Sequence, residues 1–239
     1  MSNDILISTG IEELDNFLEG GTPKGFTVLI LGSPESSIEI LSKQLATSNN
    51  VIYFTTEETE TEIYDTMERF GWGKPNIEII DIASQYLETI LSDEQRRINI
   101  YKQRAKVKLK ELIEIGSSGV PPIAKVEKDF LAILLNKIEI TNCEKIIINS
   151  LDFFLNQYTQ DEVINTIHAA KICNIKNKGV MYMIMTRGIY GDIIERRMEG
   201  IADCVLELEV LQKGSTFKRF LAVKKMKNYA KKIGIARYI

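Results

Sequence analysis

The sequence predicts an α/β protein: a three-layer sandwich around a mostly parallel sheet, with antiparallel strands added toward the C-terminus. Three observations carry this. Short apolar runs without alternation, such as Val28 to Leu31 and Val51 to Thr55, suit strands buried on both faces. Segments with apolar residues at helical spacing separate them. From Ala202 onward the pattern changes to short strands joined by turns. With 239 residues and 44% hydrophobic content, the chain has material for one large core, so 1–239 is read as a single domain.

In chain order, Thr9 is placed to cap a short helix striped by Ile11, Leu14, Phe17 and Leu18, which Gly20-Gly21 ends. The first buried strand leads through Gly32-Ser33-Pro34 into a helix from about Ser37 to Thr47. Val51 to Thr55 is the second strand, and a helix from Glu60 to Phe70 stops at Gly71-Trp72-Gly73. Ile77 to Ile82 is a third. Residues 84–115 are helical in pattern, with Ile98, Tyr101, Ala105, Leu109 and Leu112 on one side, and 84–125 is set apart as a variable helical, basic segment. Lys145 to Asn149 and Val180 to Thr186 are further strands, with a helix from Asp161 to Cys173 between them. Cys204 to Val210, Arg219 to Lys225 and Ile233 to Tyr238 form the tail.

The formal net charge of −3 argues against bulk polyanion binding, although Arg96–Lys110 holds seven basic residues and no acidic one. That run is weighed as a solvated face against a contact with nucleic acid or an acidic partner. Cys143, Cys173 and Cys204 lie in or beside apolar runs and suit buried thiols in a reducing cytoplasm. With one histidine, His168, no metal site is expected. No apolar span of about 18 residues suggests a membrane segment.

The chemistry concentrates at Gly32, Ser33, Pro34, Glu35, Ser36, Ser37, Ile38 and Glu39. Strand, turn and helix is the setting of a phosphate-binding loop of pattern G-x-x-x-x-G-K-[ST]. Laid from Gly32, its second glycine falls on Ser37, its lysine on Ile38 and its hydroxyl residue on Glu39. A working loop offers free N–H groups, a lysine charge and a hydroxyl for Mg²⁺. Here Ser36 to Glu39 has the Ser-x-x-Glu spacing of a capping box, which would satisfy the helix start from within the chain. Glu35 and Glu39 would repel phosphate.

Seven segments in order resemble the KaiC-like ATPases of the RecA superfamily, common in archaea. They are Ser8 to Asp15, Gly20 to Gly25, Phe54 to Glu58, Glu68 to Trp72, Ile147 to Leu151, Glu199 to Asp203 and Val223 to Lys227. The resemblance implies a RecA-like fold, an oligomer, and a site for ATP and magnesium. It aligns Glu57 or Glu58 with the water-activating glutamate, Asn149 with the Walker B aspartate, and Lys225 and Lys227 with cations that reach a neighbour's γ-phosphate. Thr186-Arg187 aligns with a sensor position or supplies a helix-entry arginine. With lysine, hydroxyl and aspartate replaced, Glu57 and Glu58 are expected as a solvated loop pair and Asn149 as a partner for buried backbone. The expected function is a non-catalytic regulatory or scaffolding subunit with no cofactor, in a homo- or hetero-oligomer of KaiC/RecA-like subunits. One alternative is a weak ATPase using ATP and Mg²⁺; another is a nucleic-acid-binding RecA paralogue working through the basic helix.

Overall fold

The computed structural model describes residues 5–48, 50–73, 75–106, 128–213, 216–229 and 232–238. The chain forms two compact units, Met1–Ile82 with Phe130–Ile239, and Ala83–Asp129. The loop expected at 116–122 and the helix expected to resume near Val126 lie outside the described residues.

In the larger unit a two-stranded ribbon, β1 (Leu6–Ile7) and β2 (Thr22–Pro23), brackets α1 (Glu12–Phe17). The main sheet contains β3 (Thr27–Gly32), β4 (Val51–Thr55), β5 (Ile77–Asp81), β6 (Lys145–Asn149), β7 (Val180–Thr186), β8 (Cys204–Lys213), β9 (Thr216–Met226) and β10 (Gly234–Tyr238). Their order is β10-β9-β8-β3-β7-β6-β4-β5. From β8 to β5 the pairings are parallel; β9 and β10 add the antiparallel edge. The tail differs from expectation in one respect: its first strand, β8, lies parallel to β3 and belongs to the main sheet.

Strand side chains alternate between two faces. Val28, Ile30, Tyr53, Ile147, Tyr182 and Leu206 join a core with α1, α2 (Ile38–Leu45) and α3 (Glu60–Arg69). On the other face, α6 (Leu151–Gln157) and α7 (Gln160–Asn177) pack on β7, α8 (Asp192–Ile201) on β3, and α5 (Phe130–Ile140) on α7. Real capping boxes start α3 and α7, from Thr59 with Glu62 and Thr159 with Glu162. The cap expected from Thr9 does not form. Ile11 stands at the N-cap, and Thr9 Oγ1 accepts from Ile11 N at 3.1 Å, one turn too early. Cys143 and Cys204 are buried, Cys173 only half-buried, and all three are free thiols. His168 is an exposed helix residue.

Lys145 opens β6 fully buried and donates to the carbonyls of Thr9 and Leu45, each at 2.9 Å. Burial pulls its pKa from the ordinary 10.5 down to about 8, against the opposing carboxylates of Asp15 and Glu144. Between those values the unfolded chain binds a proton that the folded chain has released, so stability rises with pH. The stability of wild type relative to Lys145→Met, followed by melting, is expected to rise from pH 7.5 to 10, by up to the order of 3 kcal/mol. A pH-independent difference would contradict the assignment.

Candidate functional site

Gly32 ends β3 at the centre of the sheet, beside Thr186 of β7 and Leu208 of β8. The chain then makes a 3-10 turn, Pro34–Ser36, and enters α2 through Ser37 in the left-handed conformation (φ 60°, ψ 43°). A left-handed residue suits the loop's second glycine, so the backbone keeps that shape although serine supplies it, at a cost of about 1 kcal/mol.

The capping box expected from Ser36 and Glu39 is absent. Ser37 rather than Ser36 is the N-cap, and no side chain caps α2. The Ser36 hydroxyl instead donates to the Ser33 carbonyl at 2.6 Å, and Glu39 is exposed. The loop is nevertheless full. A Cβ placed on Gly32 would come within 2.5 Å of Ser36 Oγ and 2.9 Å of Ile38 Cδ1, so only glycine fits beneath them. Arg219 of β9 reaches over from the antiparallel edge and donates to Ser36 O (2.9 Å) and Ser37 Oγ (3.0 Å). Glu35 is exposed beside Pro34.

Glu57 and Glu58 follow β4; Glu57 is exposed as the solvated reading has it, whereas Glu58 is half-buried against a lysine. Ser150 Oγ donates to Glu57 Oε1 at 3.1 Å. The ammonium of Lys43, itself 1% exposed, stands 2.6 Å from Glu58 Oε2 as a charge contact outside hydrogen-bond angles. It also donates to Glu39 O at 3.3 Å. Lys43 is thus the buried cation of this site, one helical turn beyond Ile38.

Asn149 ends β6 opposite Thr55, and its carbonyl accepts from Thr56 N (2.9 Å) and Thr56 Oγ1 (3.2 Å). The peptide to Ser150 is cis. Its side chain lies with Ser42 at the buried Tyr53 hydroxyl, and Ser42 Oγ is 2.7 Å from that oxygen. Burial drives the Tyr53 phenol well above its ordinary value, so it stays neutral. Asn149 thus serves buried backbone, as expected, through its carbonyl.

The remaining positions lie apart. Arg187 is not a helix-entry residue, because α8 begins at Asp192; it pairs with Glu207 of β8 at 2.6 Å. Thr186 bonds Asp152 through its hydroxyl at 2.6 Å. Lys225 donates to the carbonyls of Glu199 and Ala202, both at 2.7 Å, closing the end of α8. Lys227 is 57% exposed and 3.5 Å from Asp203. Among the described residues no group of three or more His, Cys, Asp or Glu could hold a metal.

Sequence reasoning missed Lys43, Arg219 and Asp203. Lys43 falls off the apolar stripe of Ile38, Leu41 and Leu45, so periodicity places it in solvent. Arg219 resembles any polar residue on an edge strand. Asp203 ended a recognised segment without any partner assigned to it.

A phosphate-loop scaffold at the middle of a parallel sheet, with acidic residues after β4 three strands along, defines a RecA-type member of the ATPase folds. A family model described as "ATPase: KaiC" matches residues 7–239, and the chain belongs to that family. The KaiC-like protein PH0186 of Pyrococcus horikoshii has a similar fold, with TM-score 0.65 and 17% identity over 99% of this chain and 100% of that one. The flagellar accessory protein FlaH of Methanocaldococcus jannaschii is similar at the same score and identity, over 99% and 98%. Local similarity reaches 36% over 74 residues with the DNA repair protein RadA of Aquifex aeolicus. It reaches 34% over 72 residues with the UPF0273 protein MK0039 of Methanopyrus kandleri. These stretches span 29% and 28% of this chain, and 17% and 29% of the two relatives.

Proposed function

We propose that this chain is a KaiC-family subunit that does not turn over ATP and acts as a regulatory or scaffolding member of a cytoplasmic assembly of KaiC/RecA-like subunits. The observation that carries the reading is the Lys43–Glu58 contact. One of the two carboxylates that could align with the water-activating glutamate is neutralised by a cation of its own chain, which is held there and at the Glu39 carbonyl.

The residues present do not fit Mg·ATP. Ser36 and Ile38 fill the space above Gly32, Arg219 clasps the loop, and the uncharged amide of Asn149 stands at the metal-ordering position. In such an assembly Lys227, more exposed than Lys225, is the cation left to offer a neighbouring subunit.

The test is thermal. A ligand at about 100 times its Kd adds about 2.7 kcal/mol, which raises Tm by roughly 5–10 °C for a chain of this size. Millimolar ATP with Mg²⁺ is expected to leave the melting temperature within error. A reproducible rise of several degrees would favour the weak-ATPase alternative instead.

A further inference from the structure

Helix α4 (Ile82–Lys106), in the second unit, carries an apolar seam on a strongly polarised rod. Leu87 (56% exposed), Leu91 (53%), Ile98 (47%) and Tyr101 (70%) are spaced by four, seven and three residues, with Glu94 at the missing step. That is the alternating three-four spacing of a two-helix seam. The charges are segregated along the same helix. Glu88, Asp93 and Glu94 occupy the first half; Arg96, Arg97 and Lys102 occupy the second. Among the described residues of the unit the ion pairs are peripheral: Arg97 with Glu94 at 3.2 Å, Arg96 with Asp93 at 3.8 Å, and Lys128 with Glu88 at 3.8 Å, each with at least one strongly exposed member.

An acidic half followed by a basic half is self-complementary only when a second helix runs the other way. We propose that α4 pairs with α4 of a second copy of this chain in an antiparallel, two-fold contact. With the axis passing between Glu94 and Gln95, Leu91 faces Ile98 of the other copy. Glu88 of one copy, flanking the seam, then lies beside Tyr101 and Lys102 of the other. Apolar seam and charges agree on one register. A parallel pair would set acid against acid and base against base. Glu88 and Lys102 lie about 21 Å apart along one helix, so they can meet only between copies. This contact does not depend on whether the chain hydrolyses ATP.

Sedimentation equilibrium on the whole chain tests it. Wild type is expected to self-associate, and Leu91→Lys with Ile98→Lys to abolish that association while the circular dichroism melt stays unchanged. Glu88→Lys and Lys102→Glu should each weaken association by about tenfold or more, because two-fold symmetry places every reversed charge in the contact twice. Combining the two reversals should restore it. Restoration also excludes an effect through Lys128, which touches only residue 88 of that pair. The proposal is overturned by a monomer up to about 100 µM, by association indifferent to the seam or single reversals, or by a combined variant that does not recover. A monomer that instead binds single-stranded DNA in a salt-sensitive way would assign the helix to nucleic acid.

Discussion

Replacing Lys43 by methionine is expected to lower stability by about 3 kcal/mol, because removing one partner of a buried pair strands the other's charge. For a chain of this length that is a fall in Tm of roughly 6–12 °C. Methionine keeps the volume of the stem, so the loss reports charge rather than a cavity. The second half of the experiment is Glu58→Gln in the same background. With both charges gone, no carboxylate is left uncompensated, and most of the lost stability should return. A double-mutant cycle is expected to give a coupling above about 1 kcal/mol. If Lys43→Met melts with wild type, or Glu58→Gln gives no recovery, the pair does not hold this site together, and the proposed function loses its main support.

Asp203 is expected to matter as much for stability. Its carboxylate takes Thr27 N at 3.2 Å at the start of β3, lies 2.8 Å from Lys171 Nζ, and is 4% exposed. Lys227 approaches it at 3.5 Å. Asp203→Ala leaves the half-buried Lys171 ammonium with only the Ile201 carbonyl and strands a buried N–H, which together cost about 2–4 kcal/mol. Asp203→Asn can still accept from Thr27 but loses the attraction to Lys171, so an intermediate loss is expected. Urea midpoints should fall in that order with an unchanged slope. A loss below about 1 kcal/mol for Asp203→Ala would show that Lys171 finds another partner.

The layers of the fold were legible because the central strands are nearly continuous apolar runs; Val28 to Leu31 and Ile146 to Ile148 need both faces covered wherever they are placed. The segment order was legible too, since motifs such as Glu68 to Trp72 carry local turn chemistry. What escaped was decided by tertiary contact. Ser36 and Glu39 have capping-box spacing, but the left-handed turn at Ser37 moves the helix start by one residue and leaves Ser36 to bond backward. Lys43 and Lys145 are buried by segments distant in sequence, and no local pattern marks a lysine for burial. Arg219 acquires meaning only when β9 lies beside β8, within reach of the loop.

That reach also orders events during synthesis. Arg219 and Ser36 are 183 residues apart, and β3 pairs with β7 and β8, which are translated far later. At about 5–20 residues per second, a ribosome needs on the order of ten seconds or more to cover that distance. Through that interval the first strand and its loop wait without neighbours, their apolar faces uncovered. The loop can take its closed shape only after those late strands have emerged.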